Sequence, residues 1–178
     1  MQISARVPSM IAMTALTLAR FTNGRFALGL GVSGPQVVEG LHGADYKAPL
    51  TRLKETVEIV RMAFRGEKIE FTGDCHQIPR LGGEGKAIRL DHPPNPKIPI
   101  HLATLAPRAL EYTGAAGEGW LGTSFSPNHA EAHFAHLRRG AESVGRSLSD
   151  LDLQAACTVA IGSNVEEMIA ARRPAVAF

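Results

Sequence analysis

The sequence predicts an α/β protein: a partial (β/α)8 barrel of about six of the eight strands, with a hairpin-and-loop insertion near 67–97. Three observations predict it. Strand-like and helix-like stretches alternate along the chain, the rhythm of parallel βα units. Residues 26–34 form a short strand of period two that runs straight into a glycine-rich turn. Strands fall near 2–5, 26–31, 98–103, 119–122, 153–161 and 175–178, most followed by a helix, whereas a closed barrel takes eight strands and roughly 250 residues. The 178 residues therefore read as a single barrel domain, 1–178, incomplete at both termini.

Gln2-Ile3-Ser4-Ala5 looks like the tail of a strand with no lead-in. Ser9 is the expected N-cap of a helix from about Met10 to Phe21, whose Ile11, Ala12, Ala15, Leu16, Leu18 and Ala19 leave little polar face. Gly24 supplies its stop. Phe26, Leu28 and Leu30 then alternate with Ala27, Gly29 and Gly31, which puts small residues on one face. Glycines inside a strand mark a close approach, either by a neighbouring element or by a flat ligand. Ser33-Gly34-Pro35 turns the chain at the strand's C-terminal end, where parallel α/β proteins bind ligands.

An irregular segment follows, with His42 a candidate polar wall of a pocket and Glu39 a candidate to orient the turn or touch a cofactor. The helix from Pro49 to Arg65 carries the clearest apolar stripe, Leu50, Leu53, Val57, Val60 and Phe64. Its Arg52, Lys54, Glu55, Glu58 and Arg61 are expected to face solvent. Gly66 ends it. Residues 68–78 read as a hairpin around Gly73-Asp74, and 79–99, rich in Gly and Pro, as a long loop, either a lid or a decorative excursion.

The strand at 98–103 leads through Thr104-Leu105-Ala106 to Pro107, favoured at the first helical position. This helix is expected to stop at Gly114. Its start is a ready anion site, and Arg108 in the first turn, the wrong sign for the helix dipole, supports an anion nearby. Gly119 to Gly122 is the next strand. A helix capped by Ser126 runs from Pro127 to about Val144, with Ala130, Phe134, Leu137, Ala141 and Val144 on one stripe. The strand at 153–161 follows, then a helix with Asn164 and Glu167 as a capping pair that ends before Pro174, and a strand beginning at Ala175.

Composition narrows the function classes. Hydrophobic residues make up 44% and charged residues 20%, as in a soluble globular protein. A net charge of +2 is too small to argue for nucleic acid. No apolar run is long enough to span a bilayer, and Arg6 and Pro8 interrupt any signal-peptide core. Cys75 and Cys157 form neither a metal spacing nor a disulfide framework, so a reducing, cytoplasmic setting fits. His129, His133 and His136 share a helix at spacings of four and three, but no acid or thiol joins them at ligand spacing; they are expected to face water, and no metal is assigned. His101 reads as a satisfied core histidine and Trp120 as packing.

Two blocks carry a family resemblance. Ala5-Arg6-Val7-Pro8 through the first helix, continued by Asn23-Gly24-Arg25-Phe26-Ala27-Leu28-Gly29-Leu30-Gly31-Val32-Ser33-Gly34-Pro35-Gln36-Val37-Val38-Glu39-Gly40-Leu41-His42-Gly43, resembles the bacterial luciferase-like superfamily, most closely its deazaflavin-dependent oxidoreductases of the methylenetetrahydromethanopterin reductase type. Ile100 to Gly122, with its Leu-Ala-Pro turn and Gly-Glu-Gly-Trp strand start, resembles a second signature of that group.

The resemblance implies a (β/α)8 barrel and an oxidoreductase that moves a hydride between coenzyme F420, an 8-hydroxy-5-deazaflavin, and a small organic substrate. The alternatives are an FMN-dependent monooxygenase that incorporates molecular oxygen, and an inactive remnant. It also implies where the cofactor lies. Gly31, Val32, Ser33, Gly34, Gln36 and Val37 would pack on one side of the ring. Ala103, Thr104, Leu105 and Ala106 would hold the phosphate, with Gly122 and Thr123 close by. Ala106 departs from the glycine common in the family and tightens that site. The family's early strands, which supply polar groups near the reactive ring atom, have no counterpart in this chain, so no catalytic residue is assigned. Unpaired strand edges of an incomplete barrel make self-association the expected partner contact.

Overall fold

Leu28 and Leu30 fix how the first strand lies. Both are about 1% exposed and join Leu16, Leu53, Val57 and Val60 in the main core, so strand β1 (Leu28–Gly31) turns one face to helices α1 (Pro8–Phe21) and α3 (Pro49–Phe64). Gly29 and Gly31 take the other face. The structure, a computed structural model, describes residues 1–123, 125–157 and 159–176, with side chains through Arg173. Among them the main sheet is parallel and four-stranded, in the order β1, β4 (Ile100–Ala103), β5 (Gly119–Gly122) and β6 (Asp152–Ala155). Helix α4 (Pro107–Ala116) crosses from β4 to β5, and α5 (Glu131–Glu142) from β5 to β6. This is the (β/α) architecture that the alternation of elements predicts, laid out as part of a barrel.

Several boundaries differ from expectation. The first strand is a single bridge, Gln2 to Gly31. Val7, not Ser9, caps α1, because Pro8 with its fixed φ takes the first helical position. Beyond Ala155, Ala156 N–H makes one more bond to Gly122 O; the described residues of 156–161 have no strand alongside to accept the rest, so the long strand at 153–161 is cut to four residues. Helix α6 (Val165–Val176) runs past Pro174. The strand expected at 175–178 is therefore helical at 175–176, and 177–178 lie outside the described residues. Asn164 caps α6 as expected, its Oδ1 accepting Glu167 N–H at 3.2 Å.

Gly114 does not end α4; it sits inside it, where α5 crosses. A Cβ on Gly114 would lie 2.0 Å from Leu137 O, and one on Gly140 1.9 Å from Glu111 O, so each helix presses backbone against the other's missing side chain. The expected helix over 127–144 divides into a 3-10 turn, Pro127–His129, and α5, which leaves Val144 outside and exposed.

The hairpin is present as β2 (Phe71–Thr72) and β3 (Gln77–Ile78). It corrects the expectation for α3, because Glu55 is buried rather than solvated. Its carboxylate accepts N–H bonds from Asp74, Cys75 and His76 and pins the hairpin to the helix. Arg61 also turns inward, donating to Glu118 at 2.9 Å and to Ala116 O at 2.6 Å. Loop 79–99 returns beneath the helices, with Asn95 N–H bound to Phe64 O. No described helix is long and apolar enough to cross a membrane.

Candidate functional site at the strand ends

The register brings three strand ends together. Gly31 pairs with Ala103, and Leu102 with Trp120, so the chain leaves β1, β4 and β5 on the same side of the sheet. There it encloses a cavity of ≈ 820 Å³, a size suited to a small molecule or cofactor. Gly31, Val32 and Ser33 form one wall. Ala103, Thr104, Leu105 and Ala106 form the next, continued by Pro107, Arg108 and Ala109 of α4 and by Thr123. Tyr46 and the first turns of α3, Pro49, Leu50 and Leu53, close the remaining side. A smaller recess of ≈ 410 Å³ adjoins it, sharing Gly31, Ser33 and Ala103 and reaching Gln2, Gly29 and Leu121.

The glycines serve the neighbouring strands. A Cβ on Gly29 would meet Leu121 Cδ1 at 3.0 Å, and one on Gly31 would meet Ala103 Cβ at 3.2 Å. Val32 and Ser33 continue the cavity wall from Gly31. Ser33 has φ +59°, the left-handed region that a β-carbon disfavours. Tyr46 Oη donates to Ser33 O at 3.0 Å, and Gln2 Nε2 donates to Ser33 Oγ at 3.1 Å.

On the other wall Thr104 is turned inward. Thr113 donates its hydroxyl to Ala109 O at 2.9 Å. A hydroxyl has one proton, so in the 2.7 Å contact between the two threonines Thr104 is the donor. That proton is unavailable to an anion in the cavity. The Thr104 carbonyl accepts the Trp120 indole N–H at 2.9 Å. What the α4 start offers a ligand is backbone and charge. Ala109 and Leu110 N–H go to Ala106 O and Pro107 has no N–H, which leaves the Arg108 N–H among the orphan donors of the first turn. Arg108 lines the cavity, is exposed, and forms no ion pair among the described residues.

Of the positions singled out in the sequence, Gly31, Val32, Ser33, Ala103, Thr104, Leu105, Ala106 and Thr123 meet at this cavity. Gly34, Gln36 and Val37 do not line it. Gly34 caps a short helix, α2 (Pro35–Val38), which carries Gln36 and Val37 past the opening. Gly122 is inside the wall, where a Cβ would lie 2.5 Å from the Trp120 ring. His42 is exposed and touches Gln2 Oε1 through Nε2 at 2.9 Å. Glu39 is exposed. No residue of 79–99 lines the cavity.

No group of three metal-ligating side chains occurs among the described residues, the histidine trio included. His133 stacks on Trp120 at 5.3 Å and His136 meets Glu111 at 3.1 Å; both are half-buried, and His129 is the one of the three that is exposed. His101 is buried against Asp152, 3.7 Å away, in keeping with a core histidine. The wall residues that sequence reasoning missed are Tyr46, Pro49, Leu50, Leu53 and Ala109. Leu50 and Leu53 carried a signal, but one that read only as core.

A cavity at the C-terminal ends of parallel strands, with a helix start pointing at it, defines a ligand-binding (β/α)-barrel protein. The chain belongs to the luciferase-like monooxygenase family, whose model matches residues 1–178. It is 36% identical over 185 residues to a Mycobacterium tuberculosis protein whose name describes it as a coenzyme F420-dependent oxidoreductase, covering 99% of this chain and 53% of that one. It is 32% identical over 149 residues to the F420-dependent glucose-6-phosphate dehydrogenase of Nakamurella multipartita, covering 82% of this chain and 42% of that one. Among solved structures, the coenzyme F420-dependent tetrahydromethanopterin reductase of Methanopyrus kandleri superposes with a TM-score of 0.72 at 22% identity, over 86% of this chain and 47% of that one, which establishes the shared fold. The chain thus spans about half the length of the curated relatives it matches.

Proposed function

We propose that this chain is the cofactor-holding part of an oxidoreductase that moves a hydride between coenzyme F420 and a small organic substrate. The observation that carries the reading is the cavity itself: largely apolar walls from two strand ends and α3, and on one side Arg108 and the α4 start. That pairing suits a flat ring with an anionic tail. The names of the relatives support the deazaflavin as the ring. When bound, the cofactor supplies the hydride chemistry; the chain's residues bind and orient it.

In this reading Val32 and Ser33 pack on the ring from the β1 side, while Leu50 and Leu53 keep water off it. Arg108 and its N–H hold the phosphate, and Thr104 shapes the wall without donating to it. The two free thiols, Cys75 and Cys157, suit a cytoplasmic setting.

Fluorescence titration of the purified protein with oxidised F420 and, separately, with FMN tests the proposal. Saturable binding of F420 in preference to FMN is expected. Preference for FMN would move the reading to an oxygen-using flavin monooxygenase, and no saturable binding of either overturns it.

A further inference from the structure

We infer that Tyr46 is a positioning residue, which holds the Ser33 peptide in its left-handed conformation and so sets the β1-side wall of the cavity. The inference rests on the cofactor reading above only for what that wall is used for.

Ser33 is the point where the wall departs from ordinary backbone. Its φ of +59° costs a residue with a β-carbon on the order of 1 kcal/mol, and such a conformation persists only where its surroundings enforce it. Two side chains from different parts of the sequence do so. Tyr46 reaches from the segment before α3 and donates its hydroxyl to Ser33 O at 3.0 Å. Gln2, from the chain's first residues, donates to Ser33 Oγ at 3.1 Å and is itself held by His42 at 2.9 Å.

The choice of serine follows from the same contacts. Glycine would take this φ with no strain but would give Gln2 no acceptor. Serine accepts strain, which the Tyr46 bond offsets, and gains a second anchor. Tyr46 itself lines the cavity beside Pro49 and Leu50, so its ring is part of the wall and its hydroxyl is directed at the wall's backbone. His42, whose side chain is outside the cavity, bears on it only through Gln2.

The test is Tyr46→Phe, which keeps the ring and removes the donor. Amide hydrogen exchange is followed at Val37 and Val38, whose N–H groups are bonded to Gly34 O, in the cofactor-free protein, alongside F420 affinity by fluorescence and thermal unfolding. Loss of one hydrogen bond predicts exchange at Val37 and Val38 faster by about fivefold and a Kd higher by a similar factor. Exchange in β1 and the melting temperature stay near those of the unaltered protein. In a Ser33→Gly background, where the strain is gone, the same Tyr46→Phe change moves exchange and Kd by less than about twofold. Unchanged exchange at Val37 and Val38, or an equal effect of Tyr46→Phe in both backgrounds, overturns the inference. A protein that binds neither F420 nor FMN defeats the proposed function, while the exchange comparison still decides the role of Tyr46.

Discussion

Trp120 donates its indole N–H to the carbonyl of Thr104 at 2.9 Å, across the junction between β5 and the turn that opens the cavity. The indole is 1% exposed, packed among Phe125, His133 and Phe134, and it occupies the space that Gly122 leaves. The bond therefore transmits the packing of α5 to the cavity wall. Trp120→Phe keeps an aromatic ring but leaves a buried carbonyl without a donor and part of the indole volume empty. A loss of about 3 kcal/mol in unfolding free energy is expected from chemical denaturation. A loss within about 0.5 kcal/mol would mean the carbonyl finds another partner.

Acid should release the hairpin. Burial on its own pushes the Glu55 carboxyl up, but the hydrogen bond from His76 and the N–H groups of Asp74, Cys75 and His76 outweigh it, and the group titrates below its ordinary value. The unfolded chain thus binds the proton first as pH falls, near the ordinary glutamate value of about 4.3. The stability contributed by Glu55 is complete above that value and is lost as pH falls through the lower folded value. Glu55→Gln should cost about 2 to 3 kcal/mol at neutral pH, because charged acceptors hold several donors more strongly than an amide does. It should also flatten the fall in stability below about pH 5. Equal acid slopes in the two proteins would rule out Glu55 as the titrating group.

The α4 and α5 crossing gives a prediction whose sign is informative. Alanine is favoured over glycine inside a helix by about 1 kcal/mol, so Gly140→Ala would stabilise an isolated α5. Here the new methyl would lie 1.9 Å from Glu111 O. The helices must part, which overpacking data put at about 1 to 3 kcal/mol or more. Net destabilisation of at least about 1 kcal/mol is expected by thermal or urea unfolding. A more stable variant would show that the helices separate at little cost.

Much of this architecture was legible because the deciding patterns are local. The alternation from Phe26 to Gly31 marks a strand with one crowded face, and Pro107 after Ala103 marks a helix that starts where a strand ends. The parts that were not legible are tertiary. Glu55 sits in the charged face of α3, and nothing within that helix distinguishes it from Glu58; only the hairpin docked on it makes it a buried acceptor. Thr104 looked like a ligand donor from its place at the helix start, and Thr113, nine residues on, turned its hydroxyl away. Gly114 resembled a helix stop until Leu137 arrived against it. Tyr46 carried no pattern at all, since a tyrosine in an irregular segment acquires its role from the backbone it meets, here Ser33.

Thr104 and Arg108 flank the same helix start and should behave in opposite ways. The Thr104 hydroxyl is 5% exposed by residue and donates to Thr113, so Thr104→Val removes a buried hydrogen bond without removing a cavity donor. About 1 kcal/mol of stability should be lost, with F420 affinity unchanged within about twofold. Arg108 is exposed, forms no ion pair among the described residues and lines the cavity, so its charge contributes little to the fold. Arg108→Ala should leave the melting temperature where it was and weaken F420 binding about tenfold, a difference of about 1.4 kcal/mol. Because the charge lies in solvent reach, the gap between the two proteins should narrow as salt is raised. Titrating both variants and the unaltered protein with F420 at low and high ionic strength measures all of this. A weakened Thr104→Val beside an unaffected Arg108→Ala would mean the anion is held from within the wall, and the assignment of the helix start would have to be given up.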